Sequence, residues 1–265
     1  MPGLSTFNGN AFALRAIFVL ALAAMSFCVG PAYATIVDVN TSQRGWFRSD
    51  DNFDVQEAPP NNNYIAGEIA GDPATVGYHD FFVFNLAGLS GSITGATLHL
   101  FNPGVDIGPG YWSPNPTETL KIFVYSIDPA VIANLDPTQY TPGAYDGLVA
   151  GAIAGYITVS AVDNGQFVDV ILNSDAIATL NAAAATTGII AFGGGLDGLL
   201  GPPDGSPDDR AIFEYSGNDD SNPADGNTQL IVEVPEPSSL AVIAVALAGL
   251  GLVRRRSAHR KSRIG

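Results

Sequence analysis

The central part of the chain alternates apolar and polar residues in short runs, and this pattern predicts β-strands. The stretches "HDFFVFNLAGL" from His79, "ATLHLFNPG" from Ala96 and "LKIFVYSI" from Leu120 place apolar residues at every second position. Further runs follow at "GYITVSAV", "QFVDVIL", "TGIIAFGG", "RAIFEYSG" and "TQLIVEV". Loops rich in Gly, Pro, Asn and Asp separate them, which favours an antiparallel β-sandwich over βαβ units.

Three segments break the alternation. "PAVIANL" from Pro129 and "SDAIATLNAAAA" from Ser174 have a helical spacing and predict one or two short helices. We expect Ser174 or Asp175 to cap the second helix, because both side chains can accept a backbone N–H. The glycine-rich stretch "FGGGLDGLLG" follows a predicted strand and leads into prolines, so it predicts a flexible loop.

The N-terminal segment has the layout of a secretory signal peptide. The segment from Ala11 to Val29 is strongly apolar, and Arg15 supplies an early positive charge. It ends at Ala32-Tyr33-Ala34, a cleavage site of the A-x-A type. The pattern predicts a signal peptide over residues 1–34 with Thr35 as the first mature residue. An uncleaved membrane anchor is the alternative.

The C-terminal segment predicts a transmembrane helix. Leu240 to Val253 contains only apolar residues and glycine, and its 14 residues span roughly 21 Å as a helix. Flanking residues and snorkelling arginines bring this close to the roughly 30 Å of a bilayer core. A buried core helix is the alternative, but the basic cluster that follows is typical of a stop-transfer signal with the basic end in the cytoplasm.

The same tail resembles the PEP-CTERM sorting signal of Gram-negative bacteria. The resemblance rests on Pro235-Glu236-Pro237, the apolar run after it, and Arg254-Arg255-Arg256. It implies an exosortase as processing partner, a transient membrane anchor, and then release to the cell surface or extracellular matrix. Such bacteria typically make an exopolysaccharide and form biofilm or flocs. The predicted organisation is therefore a signal peptide (1–34), a β-sandwich domain (35–233) and a sorting signal (234–265).

A second resemblance concerns the domain itself. The stretches "FFVFNLAGLSGSITGATLHLFNPG", "NPTETLKIFVYSID" and "TQLIVEVPEP" are similar to the jelly-roll domains called DNRLRE. The chain departs from that pattern at "GYHDFFVF", which lacks the usual basic residue before the strand. The resemblance implies an all-β, jelly-roll-like sandwich of a lectin-like or structural kind, and it brings no catalytic residues with it.

Charge and cysteine content exclude several functions. Between Thr35 and Val234 there are four basic residues against 25 acidic ones, a net charge of −21. Nucleic-acid binding is excluded, because phosphate contacts need lysine and arginine. Adhesion to an anionic polymer would need a bridging cation. The single cysteine, Cys28, lies in the predicted signal peptide, so the domain has no disulfide and no thiol nucleophile.

Catalytic motifs are missing from the sequence, whereas acidic loops suggest a metal. No G-x-S-x-G, H-E-x-x-H or phosphate loop occurs, and we expect a non-catalytic protein; a carboxylate pair of the glycosidase kind is the open alternative. Calcium prefers oxygen ligands, and three Asx-rich loops supply them: "RSDDNFDVQEA", "GPPDGSPDDR" and "SGNDDSNPADGNT", of which the last two hold the main candidates. The candidate ligands are Asp204, Asp208, Asp209, Asp219, Asp220 and Asp225. Plain turn formation by these residues is the alternative. His79-Asp80 is a weaker metal candidate.

Loop aromatics suggest a sugar-binding surface. Tyr111 and Trp112 lie in "GPGYWSPNP", and Trp46 lies in "QRGWFRSD". Exposed aromatic faces stack on sugar rings, although aromatic residues more often fill the end of a core. The sequence therefore predicts an exported, non-catalytic surface or matrix protein associated with exopolysaccharide. A carbohydrate-binding module, assisted by calcium, is the alternative.

Overall fold

The computed structural model describes residues 34–50, 53–55, 64–71, 75–104, 110–125, 128, 131, 143–203, 205, 209–214 and 228–235. These residues form mostly antiparallel β-structure with few helices. The all-β prediction is therefore confirmed. The predicted signal peptide and the predicted transmembrane helix lie outside the described residues, as does most of the helix predicted from Pro129.

Twelve strands and two α-helices make up the described structure. The strands are β1 (Ala34–Arg48), β2 (Phe53–Val55), β3 (Ala66–Ile69), β4 (Val76–Asn85), β5 (Gly95–Asn102), β6 (Gly110–Trp112), β7 (Glu118–Val124), β8 (Ile153–Val159), β9 (Gln166–Ile171), β10 (Ile189–Leu196), β11 (Arg210–Glu214) and β12 (Gln229–Pro235). The helices are α1 (Ala144–Leu148) and α2 (Ser174–Ala184), with a 3₁₀ turn at Ala161–Asp163. Strand β1 was not predicted from the alternation, and with 15 residues it is the longest element that the prediction lacks.

The strands form two connected sheets. The outer sheet has the order β9–β5–β12 and continues into the start of β1. The inner sheet contains the end of β1, then β4, β10, β7 and β8. The pairings whose register the structure describes are antiparallel, as the loop-separated short runs predicted.

Strand β4 is the branch point of the inner sheet. One of its edges pairs with β1 from Tyr78 to Phe84. The other edge pairs first with β3, up to Tyr78, and then with β10, from Asp80 onward. From β3 the sheet continues through β11 to β6. On this edge of β4, the pairing strand therefore changes from β3 to β10 between Tyr78 and Asp80, at the position of the His79-Asp80 pair.

The main core lies between the two sheets. The alternate residues of β5, β9 and β12 that face inward are buried: Leu98, Leu100, Val168, Val170, Leu230 and Val232. They pack against Phe82, Phe84, Leu120, Ile122 and Phe192 from the inner sheet. Helix α2 adds Ala176 and Leu180 to this core.

A second core covers the opposite face of the inner sheet. Helix α1 contributes Ala144, Tyr145 and Leu148, which cluster with Phe81 and Val83 of β4. Strand β4 is therefore buried on both faces, and residues 81–84 are all fully buried. A strand that is covered on both faces has a continuous apolar run in its sequence. For this reason "FFVF" departs from strict alternation.

The first half of the glycine-rich stretch is a strand, so the prediction of a flexible loop was wrong there, while residues 197–201 after it form a turn. Gly193, Gly194 and Gly195 lie within β10. A Cβ at Gly193 would stand 2.2 Å from the carbonyl oxygen of Leu148, and one at Gly194 would stand 2.1 Å from Oδ1 of Asp80. Glycine is needed at these positions because neighbouring groups on both faces of β10 leave no room for a Cβ. A bend of the chain is not the reason.

Helix α2 begins where predicted, but its cap is a different residue. Its N-cap is Asn173, whose side chain accepts a hydrogen bond from the backbone N–H of Ala176 at 3.0 Å. The predicted caps, Ser174 and Asp175, both lie within the helix. Asn173 also donates to the carbonyl oxygen of Ile153 at 2.6 Å, and this contact ties the helix start to β8.

The chain divides into two compact units. One is Ile36–Val234, which contains both cores, so it carries the apolar contacts needed to fold by itself. The other consists of Met1–Thr35 and Pro235–Gly265, of which only Ala34, Thr35 and Pro235 are described. Among the helices in the described part of the chain, none is long and apolar enough to span a membrane.

Candidate functional site

The His79-Asp80 pair lies at the branch point of the inner sheet, but its two side chains point to opposite faces. Successive residues of a strand alternate between faces. His79 lies on the side of α1, where its ring stacks on Tyr145 with centroids 3.9 Å apart. Asp80 lies on the side of Phe82, in the main core. The two side chains therefore cannot bind one metal ion together.

The contacts of His79 indicate a role in holding the fold together. It is fully buried, and its Nδ1 lies 2.8 Å from the carbonyl oxygen of Tyr145. Burial lowers the pKa of His79, because the imidazolium is poorly solvated there, although the carbonyls around the ring partly oppose the shift. The neutral ring joins β4 to α1 through stacking and this hydrogen bond.

Asp80 is the most unusual ionisable group of the fold. It is fully buried, and within the described chain no side chain hydrogen-bonds to either carboxyl oxygen. Burial raises the pKa of Asp80 to about 8, and only the backbone of Gly194 opposes this shift. The carboxyl group is therefore protonated at neutral pH. Trp46 lies directly opposite Asp80 on β1.

A polar cluster lies beside Asp80 inside the sandwich. Arg44 is 2% exposed and donates from Nη1 to Oγ1 of Thr228 at 2.8 Å. Its guanidinium also lies 5.6 Å from the ring centre of Tyr64. Burial raises the pKa of Tyr64 to about 12, although Arg44 favours the phenolate and opposes the shift. The cluster joins β1 to the start of β12, so it holds the two sheets together.

The predicted sugar-binding aromatics are separated. Tyr111 and Trp112 lie in the short strand β6 and not in a loop. Tyr111 is 8% exposed and donates its hydroxyl to the carbonyl oxygen of Asn115, whereas Trp112 is 41% exposed. Trp46 packs edge-to-face on Tyr78 at 5.2 Å. Since β6 lies four strands from β1, roughly 19 Å, these residues do not form one platform.

A buried ion pair supports the strand that carries Trp112. Glu118 accepts from Nε and Nη2 of Arg210 at 3.0 and 2.9 Å, and from Ser113 and Asn115, both at 2.7 Å. Burial alone would raise the pKa of Glu118, but the donors, Arg210 foremost, outweigh it and lower the pKa. The pair connects β7 to β11 and fixes the turn after β6.

Of the six candidate calcium ligands, the structure describes one. Oδ1 of Asp209 accepts a hydrogen bond from the backbone N–H of Ala70 at 2.6 Å. The others, Asp204, Asp208, Asp219, Asp220 and Asp225, lie outside the described residues. Within the described ranges, no group of three or more His, Cys, Asp and Glu side chains could hold a metal ion. Calcium binding stays a prediction.

The sequence analysis missed a surface cleft of about 530 Å³. It is lined by Ser49, Thr75, Gly143, Tyr145, Asp146, Pro202 and Pro203. Tyr145 closes its floor, because its hydroxyl donates to the carbonyl oxygen of Gly201 at 3.2 Å while its ring covers His79. The segment "TPGAYDGL" carries the lining residues of α1, but it has no pattern that distinguishes it from a turn.

The sorting motif begins at the end of the last strand. Strand β12 runs from Gln229 to Pro235, so its final residue is the first proline of Pro235-Glu236-Pro237. Glu236, Pro237 and Arg254-Arg255-Arg256 lie outside the described residues, as does Ala32 of the predicted cleavage site. Ala34 and Thr35, the other residues of that site, begin β1 and are exposed.

Comparison with known proteins supports the sorting signal. Residues 233–256 match the PEP-CTERM protein-sorting motif. No curated protein matches the chain significantly. The motif implies an exported protein that an exosortase processes and that reaches the cell surface through a membrane-anchored sorting signal. The DNRLRE-like character of the domain stays a prediction.

Proposed function

We propose that the sandwich is a non-catalytic component of the cell surface or extracellular matrix, associated with exopolysaccharide in a biofilm or floc. The observation that carries the proposal is the position of Pro235-Glu236-Pro237, whose first proline is the last residue of β12. Val234, one residue before Pro235, is 5% exposed and belongs to the main core. Cleavage beyond Pro235 therefore releases a complete folded sandwich, and the domain itself is what the sorting system delivers.

The roles of the described ionisable groups support a non-catalytic domain. His79 and Asp80 lie within the fold on opposite faces of β4, where neither can assist the other in proton transfer. Glu118, the carboxylate with the strongest set of donors, is neutralised by Arg210. Catalytic acids and bases usually face a common cleft with pKa values matched to their task. His79 instead joins β4 to α1, and Glu118 joins β7 to β11.

The charge of the domain supports a role outside the cell among polymers. A net charge of −21 over residues 35–234 keeps copies apart and soluble. It also opposes direct contact with anionic polysaccharide, so association requires a bridging cation such as calcium or a neutral polymer. The Asx-rich loops around Asp209 and Asp220 are the candidates for that cation.

Carbohydrate binding through Trp112 is the second candidate function. Trp112 is 41% exposed on the edge strand β6, and the Glu118–Arg210 pair holds the turn beside it. An exposed indole on a rigid support can stack on a sugar ring with little loss of conformational freedom. The observation favours Trp112 alone, since Tyr111 is buried.

The surface role can be tested by fractionating producing cells. Wild-type protein should occur in the extracellular matrix fraction, whereas a variant with Pro235, Glu236 and Pro237 replaced by alanine should remain in the membrane fraction. Replacing the exposed Tyr156 with alanine provides a control that leaves the motif intact. Wild-type protein found only in the periplasm or in the membrane would contradict the proposal.

A further inference from the structure

The outward-facing residues of the outer sheet form an ordered row of polar side chains. Asp169 on β9 lies directly opposite His99 on β5, and His99 lies directly opposite Gln229 on β12. Gln229 in turn donates to Oδ1 of Asn40 on β1 at 3.0 Å. The row crosses four strands and is therefore roughly 14 Å long.

Contacts within the row fix its side chains. His99 Nδ1 lies 2.5 Å from Oδ1 of Asp169. The ring of His99 stacks on Phe167 with centroids 4.1 Å apart and planes within 9°. Phe167 also contacts Phe101, which lies opposite it on β5, at 5.2 Å. Asp169 and Phe167 thus hold the imidazole of His99 on two sides. The side chains of the row therefore keep fixed positions relative to one another.

Apolar side chains border the polar row on both sides. Phe167 is 36% exposed on one side, and Ile171 is 76% exposed on the other. The side chain of Asp169 between them is 60% exposed. The face combines hydrogen-bonding groups along a line with apolar surface beside them.

We propose that the outer face of the outer sheet binds a neutral polysaccharide along the row Asp169–His99–Gln229–Asn40. A sugar chain presents hydroxyl groups at its edges and C–H groups on its ring faces. Carboxylate, imidazole and amide groups pair with hydroxyls, and Phe167 and Ile171 provide apolar contact for the ring faces. This site is separate from Trp112. It goes beyond the proposed role at the cell surface, because it identifies the class of ligand that the domain binds.

Charge and size distinguish this occupant from others. Asp169 and Glu233 give the face negative charge within a domain of net charge −21, which opposes an anionic polymer. The same charge opposes a second copy approaching face to face. A stable protein interface buries roughly 800 Å² per partner, more than two exposed apolar side chains provide. A narrow, neutral, hydroxyl-rich chain fits the row best.

The test uses residues 36–234, which form a compact unit with their own cores. Affinity electrophoresis in dextran, amylose, laminarin and xyloglucan gels, with and without calcium, measures retention, and hyaluronate serves as the anionic control. Phe167→Ala and Gln229→Ala should each weaken retention at least tenfold. Tyr156→Ala, which removes a 70% exposed aromatic residue from the inner sheet, should change it less than twofold.

Nuclear magnetic resonance provides a second readout that does not depend on any variant. On titration with the retained polymer, the side-chain amides of Gln229 and Asn40 and the imidazole of His99 should shift together. If Phe167→Ala lowers the melting temperature markedly, Gln229→Ala and these shifts decide the question. The proposal is overturned if no neutral polymer retains wild-type protein, if Tyr156→Ala matches Phe167→Ala, or if Trp112→Ala alone abolishes retention. None of these results depends on where the cell delivers the protein.

Discussion

Strands β5 and β4 have similar apolar content but different surroundings. In β5, Leu98 and Leu100 are buried while His99 between them is partly exposed, so the alternation follows the two faces of the sheet. In β4, residues 79–84 are all buried, because the outer sheet covers one face and α1 covers the other. A period of two is visible in a sequence only where one face meets water.

The same difference determines what polar residues do. The His99–Asp169 pair of the outer sheet reaches solvent and can meet a ligand. Asp80 of the inner sheet has no access to solvent, so its charge state is set by burial and it acts on stability alone. The exposed face of the outer sheet is therefore the one on which binding is proposed, whereas the part of the inner sheet that is covered on both faces stabilises the fold.

Asp80→Asn should give the largest gain in stability. The folded pKa of about 8 lies above the ordinary 3.8, so between pH 4 and pH 8 the folded state keeps a proton that the unfolded state has lost. Stability from this group is complete below pH 4 and falls as pH rises toward 8. At pH 7 the variant should be more stable by up to roughly 4 kcal/mol, less the cost of about 1–3 kcal/mol for a buried amide without partners. Urea denaturation at several pH values measures this difference, and a gain that is independent of pH would contradict it.

Gly193→Ala should destabilise the inner sheet by about 3 kcal/mol or more. The added Cβ would meet backbone atoms of α1, which cannot move without disturbing the second core. Gly201→Ala is the matched control, because nothing lies within 4 Å of its Cβ position. Equal denaturation midpoints for the two variants would mean that α1 does not pack on β10 as described.

Glu118→Gln should lower stability by about 2 kcal/mol at pH 7, since it removes the charge that Arg210 binds in a buried position. The pKa of Glu118 is lowered in the fold, so its contribution is present above pH 4.5 and is lost as pH falls below that value. The variant and the wild type should therefore converge as the pH falls through the lowered pKa of Glu118. Asp197→Asn, at the exposed pair with Lys121, is the control and should change stability by less than about 0.5 kcal/mol.

Asp169→Asn should have the smallest effect on stability, less than about 0.5 kcal/mol, because the side chain of Asp169 is 60% exposed and water screens its pair with His99. Its melting curve should overlay that of the wild type. A loss as large as that of Glu118→Gln would place the outer face among the stabilising regions and would remove the contrast between the two sheets.

The predictable part of the fold is the part with local signals. Strands β5, β7, β9 and β12 can be predicted from the alternation of apolar and polar residues. The sorting motif can be predicted from its order of Pro-Glu-Pro, apolar run and arginines. The structure of β10 could not be predicted, because glycine there reflects contacts with Leu148 and Asp80, both distant in sequence. Strand β1 was missed because "QRGWFRSD" mixes buried arginine with aromatic residues. The polar row was missed because it joins residues from four strands, which only the register aligns.

The most direct test of the account is the intact mass of the native protein isolated from the cell surface or matrix. If the two chain ends are sorting signals around a folded sandwich, the mature protein should begin at Thr35 and should lack Arg254 to Gly265. A mass that includes Arg254 to Gly265 on most surface molecules would show that no exosortase processes the chain, and it would contradict the account.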